Sequence, residues 1–278
     1  MSIKIARLLL SAAGLALALA GPAQAGAVLD RVMQSKTLTM SSDPSYPPQS
    51  FQNAAGEMEG FDIDVGREIA RRMGAELKIV TPAWEIITAG NWGGRWDISV
   101  GSMTPTAERA RVLDFPAVYY YVPANFAVHK DSKAGDLNAL NGKVIGVCGG
   151  CTYEAYLNGN LKIDAQGAPP FTYKVKAGEI KSYETDTNAF DDLRLGDGKR
   201  LDAALSALPT LQQAIKSGMP IKLVGDPVFY EPNAVAIDKG DPEFAAKVKE
   251  IVEAMHADGT LSKLSEKWYG VDLTKVKG

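Results

Sequence analysis

The sequence predicts an α/β protein with two lobes, built from mixed sheets with helices on both faces. Strand-like and helix-like segments alternate along most of the chain, which is typical of sheets flanked by helices. The alternation occurs twice, and two segments, residues 119–123 and 226–232, cross from one run to the other. Two crossings between two α/β units indicate a cleft between two lobes, because ligands of open α/β sheets bind beyond the carboxyl ends of strands.

The first run begins with a strand at Leu38 to Met40, and a loop follows in which three prolines fix φ. A helix is predicted over residues 61–73, because apolar side chains recur every four positions and two aspartates in the first turn suit the helix dipole. The apolar residues are Phe61, Val65, Ile69 and Met73. The remaining elements of this run are a strand at 76–80, a short helix at 84–89 and a strand at 96–100.

The second run of elements is predicted after a strand at 125–129. Its parts are a strand at 143–147, a short segment at 174–175, a helix at 188–195, a strand at 201–205, a helix at 209–217 and a strand at 221–224. The chain then returns through a strand at 233–237 to a helix capped by Asp241, with a proline in its first turn. A last short helix contains Leu261, Leu264 and Trp268.

The N-terminal segment, residues 1–25, predicts a secretory signal peptide that is cleaved after Ala25. It has two basic residues, a short apolar run at 8–20 and small residues before the cleavage point. The alternative is an uncleaved anchor, although the run is short for a membrane span. Cleavage would leave 253 of the 278 residues, and the net charge would change from −3 to −5 because the segment holds two basic and no acidic residues.

The composition of the mature chain argues against nucleic acid as a partner. The chain is mildly acidic, and its lysines and arginines are scattered instead of forming a basic stripe. Outside the N-terminal segment, no stretch is long and apolar enough to predict a membrane span. The sequence therefore predicts an exported globular protein.

Two segments of the chain carry a family resemblance. Residues 60–65 read Gly-Phe-Asp-Ile-Asp-Val, and Ile-Ala and Met follow within the same predicted helix. This order resembles the signature of the bacterial solute-binding proteins of family 3, which supply polar amino acids to ABC importers, and especially the lysine/arginine/ornithine-binding members. Residues 259–270 are similar to the C-terminal helix of that family. The resemblance covers nearly all of the mature chain.

The resemblance implies a periplasmic binding protein of the type II fold, with two hinge crossings. Lobe 1 would comprise residues 27–122 and 229–278, and lobe 2 would comprise residues 123–228. The family also implies a monomer in the periplasm that closes on a small carboxylate-bearing solute and then docks on an ABC permease in the inner membrane. No cofactor and no metal ion are expected.

The strongest candidate site follows the strand at 96–100. Its members are Gly101, Ser102, Met103, Thr104 and, five residues later, Arg109. Hydroxyls and turn amides offer several hydrogen bonds there, and a guanidinium can donate two bonds to one carboxylate. Spacing alone favours a surface arginine in a charged run. In the family, an arginine five residues after a Thr or Ser binds the ligand's α-carboxylate, and Thr104 and Arg109 match that pattern.

Three further candidates come from the segments around the family helix. In the lysine/arginine/ornithine-binding members, residues that match Asp43 and Tyr46 contact the ligand's side chain, and an aromatic residue matches Trp84. Tyr46 and Trp84 could enclose an aliphatic or cationic group. The alternatives are that Asp43 only caps its loop and that Trp84 only packs in the core.

The turn after the strand at 143–147 is a candidate anion site. Gly150, Cys151 and Thr152 stand where the family has Gly-Ser-Thr, whose backbone amides contact the ligand's carboxylate at the start of a helix. Thr152 matches this pattern, and Cys151 replaces the usual serine.

The only cysteines, Cys148 and Cys151, are three residues apart. In an oxidising compartment such a pair predicts a disulfide, which would stiffen the turn and contribute at most about 2 kcal/mol to stability. A redox role is the sharper alternative, because oxidoreductases place CxxC at a strand-to-helix turn. Zinc would need two more ligands, and the two histidines, His129 and His256, are far apart in sequence.

One position departs from the family pattern. Amino-acid-binding members usually have an aspartate that pairs with the ligand's α-ammonium, and Ala207 occupies that place here. A buried ammonium without a carboxylate partner is costly. Either another acid replaces the aspartate, with Glu85, Asp43 and Glu231 as candidates, or the ligand lacks an ordinary α-amino group.

The sequence therefore predicts a binding protein and no enzyme. Some periplasmic dehydratases share the fold implied by the resemblance and keep the arginine, but they need a general acid near the leaving hydroxyl. A receptor module that presents its ligand to a signalling partner is a second alternative, because such a module would also close on its ligand. The solute itself is left open by the sequence.

Overall fold

The computed structural model describes residues 27–275. The predicted signal peptide, residues 1–25, and the last three residues of predicted lobe 1 lie outside the described residues. The helices are α1 (Ala27–Ser35), α2 (Phe61–Arg72), α3 (Trp84–Thr88), α4 (Thr152–Leu157), α5 (Asp186–Leu193), α6 (Leu208–Lys216), α7 (Pro242–Ala257) and α8 (Thr260–Tyr269), with 3₁₀ turns at Arg109–Arg111 and Leu137–Leu140. None of the described helices is long and apolar enough to cross a membrane.

The strands are β1 (Thr37–Ser41), β2 (Ser45–Tyr46), β3 (Ser50–Gln52), β4 (Met58–Glu59), β5 (Glu76–Val80), β6 (Ile98–Met103), β7 (Leu113–Asp114), β8 (Val118–His129), β9 (Val144–Cys148), β10 (Glu179–Tyr183), β11 (Ala203–Ala207) and β12 (Ile221–Asp238). One mixed sheet has the order β10-β9-β11-β8-β12-β6-β1-β5, and β7 pairs with β12 beside this path. Strands β2, β3 and β4 form a small second sheet. The predicted α/β class with mixed sheets is confirmed.

The two chain crossings are long antiparallel strands at the centre of the large sheet. The prediction divided each crossing into separate segments, whereas β8 and β12 pair from His129–Ile221 to Val118–Ala234. The pairing register shifts between Val224 and Phe229, so the turn-forming residues Gly225, Asp226 and Pro227 make a bulge without ending the strand. The predicted lobe boundaries fall inside these two strands, and the division into lobes stays a prediction.

Most predicted elements are present with shifted ends, and several observed elements, among them β10, α1 and the short strands β2, β3, β4 and β7, were not predicted. Strand 76–80 was predicted with its observed bounds, and Asp241 caps α7 by accepting a bond from the Phe244 amide at 2.9 Å. The segment at 174–175 is not a strand. The edge strand β10 was missed because it pairs only with β9 and its sequence alternates polar and apolar residues weakly. Helix α1 was also missed.

Helix α2 begins where a glycine is required. Gly60 has a φ of 130°, and a Cβ atom at this position would lie 2.2 Å from the backbone oxygen of Gln49. The apolar face predicted for the helix is buried. Phe61 packs against Tyr120 and Tyr269 with ring centroids 4.8 and 5.1 Å apart, which fixes the helix beneath the central strands.

Candidate functional site

A cleft with an empty volume of about 480 Å³ lies beyond the carboxyl ends of β1, β6, β9 and β10. This is the position expected for a ligand of an open α/β sheet. The predicted site residues that line the cleft are Asp43, Tyr46, Trp84, Gly101, Ser102, Thr104, Arg109, Cys151 and Thr152. Their contact with a ligand stays a prediction.

The other three predicted residues lie beside the cleft. Met103 is fully buried with Ile87 and Trp92, because alternate side chains of a strand point to opposite faces. Ala207 is fully buried in the main core. Gly150 lines a second groove, which shares Arg109, Cys151 and Thr152 with the cleft and is called the neighbouring groove below. The carbonyl oxygen of Gly150 accepts a bond from Arg109.

Arg109 is buried in the cleft, with 7% of its surface exposed. It connects the two walls of the cleft, one of which contains Thr104 and the other Gly150 and Thr152. Its Nη1 donates to the carbonyl oxygen of Thr104 and its Nη2 to that of Gly150, both at 2.9 Å. The guanidinium carbon lies 5.2 Å from the centroid of the Trp84 ring, in a cation–π contact. Burial lowers the pKa of Arg109 to about 10, so the side chain stays charged at neutral pH.

Glu231 extends from β12 into the same end of the cleft and is 4% exposed. Its Oε1 accepts a bond from Thr104 Oγ1 at 3.0 Å and another from Thr152 Oγ1, and its Oε2 accepts a bond from the Tyr153 hydroxyl at 2.8 Å. Burial raises the pKa of Glu231, while the hydroxyl donors and the nearby Arg109 lower it. The carboxylate is therefore held by donors from both walls.

Asp186, the first residue of α5, is a cleft residue that the sequence analysis missed. It is 5% exposed, and its Oδ1 has no hydrogen-bond partner among residues 27–275. The pKa of Asp186 is raised to about 7, chiefly by burial and also by the carboxylates of Asp43 and Glu231, while the nearby Ser206 hydroxyl lowers it. Ser206 Oγ and Asp186 Oδ1 do not meet the geometry of a hydrogen bond.

Asp186 could have been found by the rule that identified the other candidate residues, namely their position just after a strand. Residues that follow strand ends were taken as candidates, and Glu184 and Asp186 directly follow β10. Because β10 was not predicted, neither residue was considered. Of the acids proposed to replace the aspartate at position 207, Asp43 and Glu231 line the cleft, whereas Glu85 lies on the neighbouring groove.

Asp43 and Trp84 line the cleft and also make the structural contacts that were the alternative interpretation, while their contact with a ligand stays a prediction. Asp43 Oδ1 accepts a bond from the Ser45 amide at 2.7 Å, so the residue caps its loop while it lines the cleft. Burial raises its pKa. Trp84 packs against the cluster around Ile87 and also faces the cleft. Structural and ligand-facing roles therefore do not exclude each other here.

Ser102 connects the cleft to a buried carboxylate beneath it. Its hydroxyl donates to Asp62 Oδ2 at 2.7 Å and also contacts the Tyr120 hydroxyl, and Tyr119 donates to Asp62 Oδ1 at 2.7 Å. Ser102 has a φ of 54°, which aims its amide at the Tyr119 oxygen, 2.8 Å away. The pKa of Asp62 is raised to about 7, because the effect of burial exceeds the lowering by the two hydroxyl donors.

Cys148 and Cys151 form a disulfide that lines the cleft. No described cysteine is free, so the predicted disulfide is confirmed. Cys151 precedes the first residue of α4, and Glu154 accepts a bond from the Gly150 amide at 2.8 Å. The turn that presents the Gly150 carbonyl to Arg109 is thus fixed on both sides. Within residues 27–275, no three His, Cys, Asp or Glu side chains form a group that could hold a metal ion.

Known proteins resemble this chain over most of its length. The sequence profile of the bacterial extracellular solute-binding proteins, family 3, matches residues 38–271. An L-cystine-binding protein, TcyJ, of Escherichia coli strain K12 is 30% identical over 251 residues, which cover 89% of this chain and 88% of the relative. An L-arginine-binding protein of Pseudomonas aeruginosa is 28% identical over 248 residues, which cover 86% of this chain and 90% of the relative.

A solved structure agrees with these relatives. The crystal structure of an ancestral amino acid-binding protein, described as a precursor of cyclohexadienyl dehydratase, has a TM-score of 0.73 and 29% sequence identity, and the match covers 87% of this chain and 99% of that chain. The predicted type II periplasmic binding protein fold and the predicted role in solute binding for an ABC importer are confirmed. The chain belongs to the bacterial extracellular solute-binding proteins of family 3.

Proposed function

We propose that this protein is the periplasmic component of an importer for a basic amino acid. A surplus of carboxylates in the cleft supports a positively charged ligand. The lining contains one arginine, Arg109, and four acidic residues, Asp43, Glu184, Asp186 and Glu231. Of these carboxylates, Asp186 and Glu231 are buried, whereas Asp43 is half-buried and Glu184 is exposed. Buried like charges are costly unless a cation joins them. A ligand with a cationic nitrogen removes that cost, whereas an acidic ligand increases it.

The proposed orientation places the ligand's ammonium at Asp186 and its carboxylate toward Arg109. The partnerless Oδ1 of Asp186 supports the first contact, since a buried acceptor gains most from a charged donor. Asp186 would then supply the carboxylate that Ala207 lacks. Tyr46 and Trp84 line the cleft and offer apolar and cation–π contacts to an aliphatic chain with a cationic end. The L-arginine-binding relative is in keeping with such a ligand.

We further propose that ligand entry depends on hinge motion between lobe 1 (27–122 and 229–278) and lobe 2 (123–228). We expect opening of the cleft to break the polar contacts between the two segments. They include Tyr46 to Tyr153 between hydroxyls at 3.1 Å, Thr187 Oγ1 to the Ser45 carbonyl at 3.1 Å, Thr210 Oγ1 to Gln49 Oε1 at 3.2 Å, Arg109 to Gly150, Glu231 to Thr152 and Tyr153, and the bridge between Thr106 and Ile163. Such contacts would stabilise the closed form that docks on the permease.

Secretion to the periplasm after cleavage at Ala25, a monomeric state and the lack of enzymatic activity belong to the same proposal. The binding proteins among the relatives support a role in binding. A dehydratase would need an acid or base in the cleft, and neither His129 nor His256 is among the residues that line it. The His256 Nε2 lies 3.0 Å from the carbonyl oxygen of Val118.

A thermal-shift screen against the common amino acids, followed by calorimetric titration, tests the proposal. Arginine, lysine and ornithine should raise the melting temperature, because a ligand at 100 times its Kd stabilises the native state by about 2.7 kcal/mol. Glutamate and aspartate should leave it unchanged. Equal affinity for neutral, acidic and basic amino acids would contradict the charge assignment.

A further inference from the structure

Glu231 occupies the hydroxyls of two residues that were predicted to bind the ligand, although for Thr152 the predicted donor was the backbone amide. The hydroxyls of Thr104 and Thr152, both predicted as ligand-binding, donate to Glu231 Oε1. The Tyr153 hydroxyl donates to Oε2 at 2.8 Å. One protein carboxylate thus satisfies hydroxyl donors from both walls of the cleft.

The predicted carboxylate clamp is also occupied by the protein itself. Both terminal nitrogens of Arg109 donate to backbone carbonyls, those of Thr104 and Gly150. The charge of the guanidinium is balanced in part by Glu231, whose pKa the arginine lowers. In this arrangement the hydroxyls of Thr104 and Thr152 are paired without a carboxylate from a ligand, as are two of the five N–H donors of Arg109.

We propose that Glu231 is an internal substitute for the ligand's carboxylate and a specificity-determining residue, so that the cleft accepts basic amines without a carboxylate as well as the corresponding amino acids. This inference rests on the proposed function, in which the ligand is cationic. It adds a second chemical class of ligand, the alkyl amines and guanidines that amino-acid decarboxylation produces.

The physical reason is the cost of unpaired polar groups. A site built to hydrogen-bond a substrate group rejects the analogue without that group by about 10⁴-fold, because its own donors are left buried and unpaired. Here the donors stay paired with Glu231 when the ligand has no carboxylate. A ligand that does carry one must instead share those donors with Glu231, at the cost of placing two carboxylates side by side.

Calorimetric titration of matched pairs, arginine against agmatine and lysine against cadaverine, tests the inference on the wild-type protein. Each pair differs by one carboxylate. We expect the amine to bind within about tenfold of the amino acid, in place of the about 10⁴-fold rejection of a dedicated carboxylate site. Rejection of the amines by that larger factor would overturn the inference.

Glu231→Gln keeps the shape of the side chain and removes its charge. The ratio of amine affinity to amino-acid affinity should fall by about tenfold or more, because the amine loses an attractive charge and the amino acid loses a repulsive one. Glu85→Gln is the matched control, since Glu85 lies on the neighbouring groove and not in the cleft. It should leave the ratio unchanged. A Glu231→Gln protein with the wild-type ratio would overturn the assignment.

The outcomes separate this inference from the proposed function. If arginine or lysine binds and both amines are rejected, the inference fails and the proposed function stands. If the amines bind and the amino acids do not, the inference stands and the amino-acid part of the proposed function fails. If neither class binds, the cationic ligand is wrong and both fail.

Discussion

Two buried carboxylates, Asp62 beneath the β6 side of the cleft and Asp186 in the opposite wall, have the same raised pKa but different surroundings. Burial brings the pKa of each to about 7. Both oxygens of Asp62 accept bonds from hydroxyls, those of Ser102 and Tyr119. Asp186 keeps one oxygen without a partner among the described residues.

The difference teaches that a raised pKa alone does not mark a ligand contact. Desolvation raises the pKa of a buried acid whether or not the acid faces a ligand. Hydrogen-bond satisfaction separates the two cases, because a structural carboxylate has its acceptors filled by the fold, whereas a binding carboxylate leaves one acceptor open. We therefore assign Asp62 to stability and propose Asp186 for binding.

The largest expected effect is the loss of binding in Asp186→Asn. Removing one charge of a buried pair typically costs 2–5 kcal/mol, so the affinity for arginine or lysine should fall by about 100-fold or more. Isothermal titration measures this loss. Asp191→Asn is the matched control, because Asp191 is on the same helix in an ion pair with Arg194 and does not line the cleft. An Asp186→Asn protein with wild-type affinity would break the comparison.

Asp62→Ala should affect stability more than binding. The hydroxyls of Ser102 and Tyr119 would lose their acceptor in the core, which should reduce the free energy of unfolding by about 2 kcal/mol. Urea denaturation measures this change. Asp62→Asn, which keeps an acceptor for Tyr119, should recover much of the loss. If Asp62→Ala reduces affinity as strongly as Asp186→Asn, the division between the two carboxylates is wrong.

The smallest expected effect is the pH dependence of binding. Asp186 has a pKa of about 7 without ligand, so its carboxylate is protonated below that pH and loses its attraction for a cation. Affinity for a basic amino acid should therefore fall as the pH drops, by about tenfold from pH 8 to pH 6. Titrations at the two pH values test this sign. Asp186→Asn should show a flatter profile, and an affinity that rises at pH 6 would contradict the assignment.

Most of the predicted site residues line the cleft, because the strand ends that precede them follow from local rules. Thr104 and Thr152 follow β6 and β9, two strands whose apolar sequence could be recognised. These strands run in opposite directions in the large sheet, so their carboxyl ends meet at the cleft through the tertiary structure and not through a shared sheet edge. The apolar face of α2 follows from its four-residue spacing. Met103 was predicted as a site residue because it lies between Ser102 and Thr104 in the sequence. Its side chain is buried in the core instead, since alternate side chains of a strand point to opposite faces.

The sequence by itself determined the α/β class, the family and the position of most of the cleft, because strand periodicity, helix spacing and capping act over a few neighbouring residues. Only the tertiary structure shows that β8 and β12 are unbroken strands that connect the two runs of elements. It also brings Asp186 and Glu231 together in one cleft. Those features depend on burial and on pairing between residues far apart in the chain, and neither pairing partners nor desolvation can be read from a local pattern.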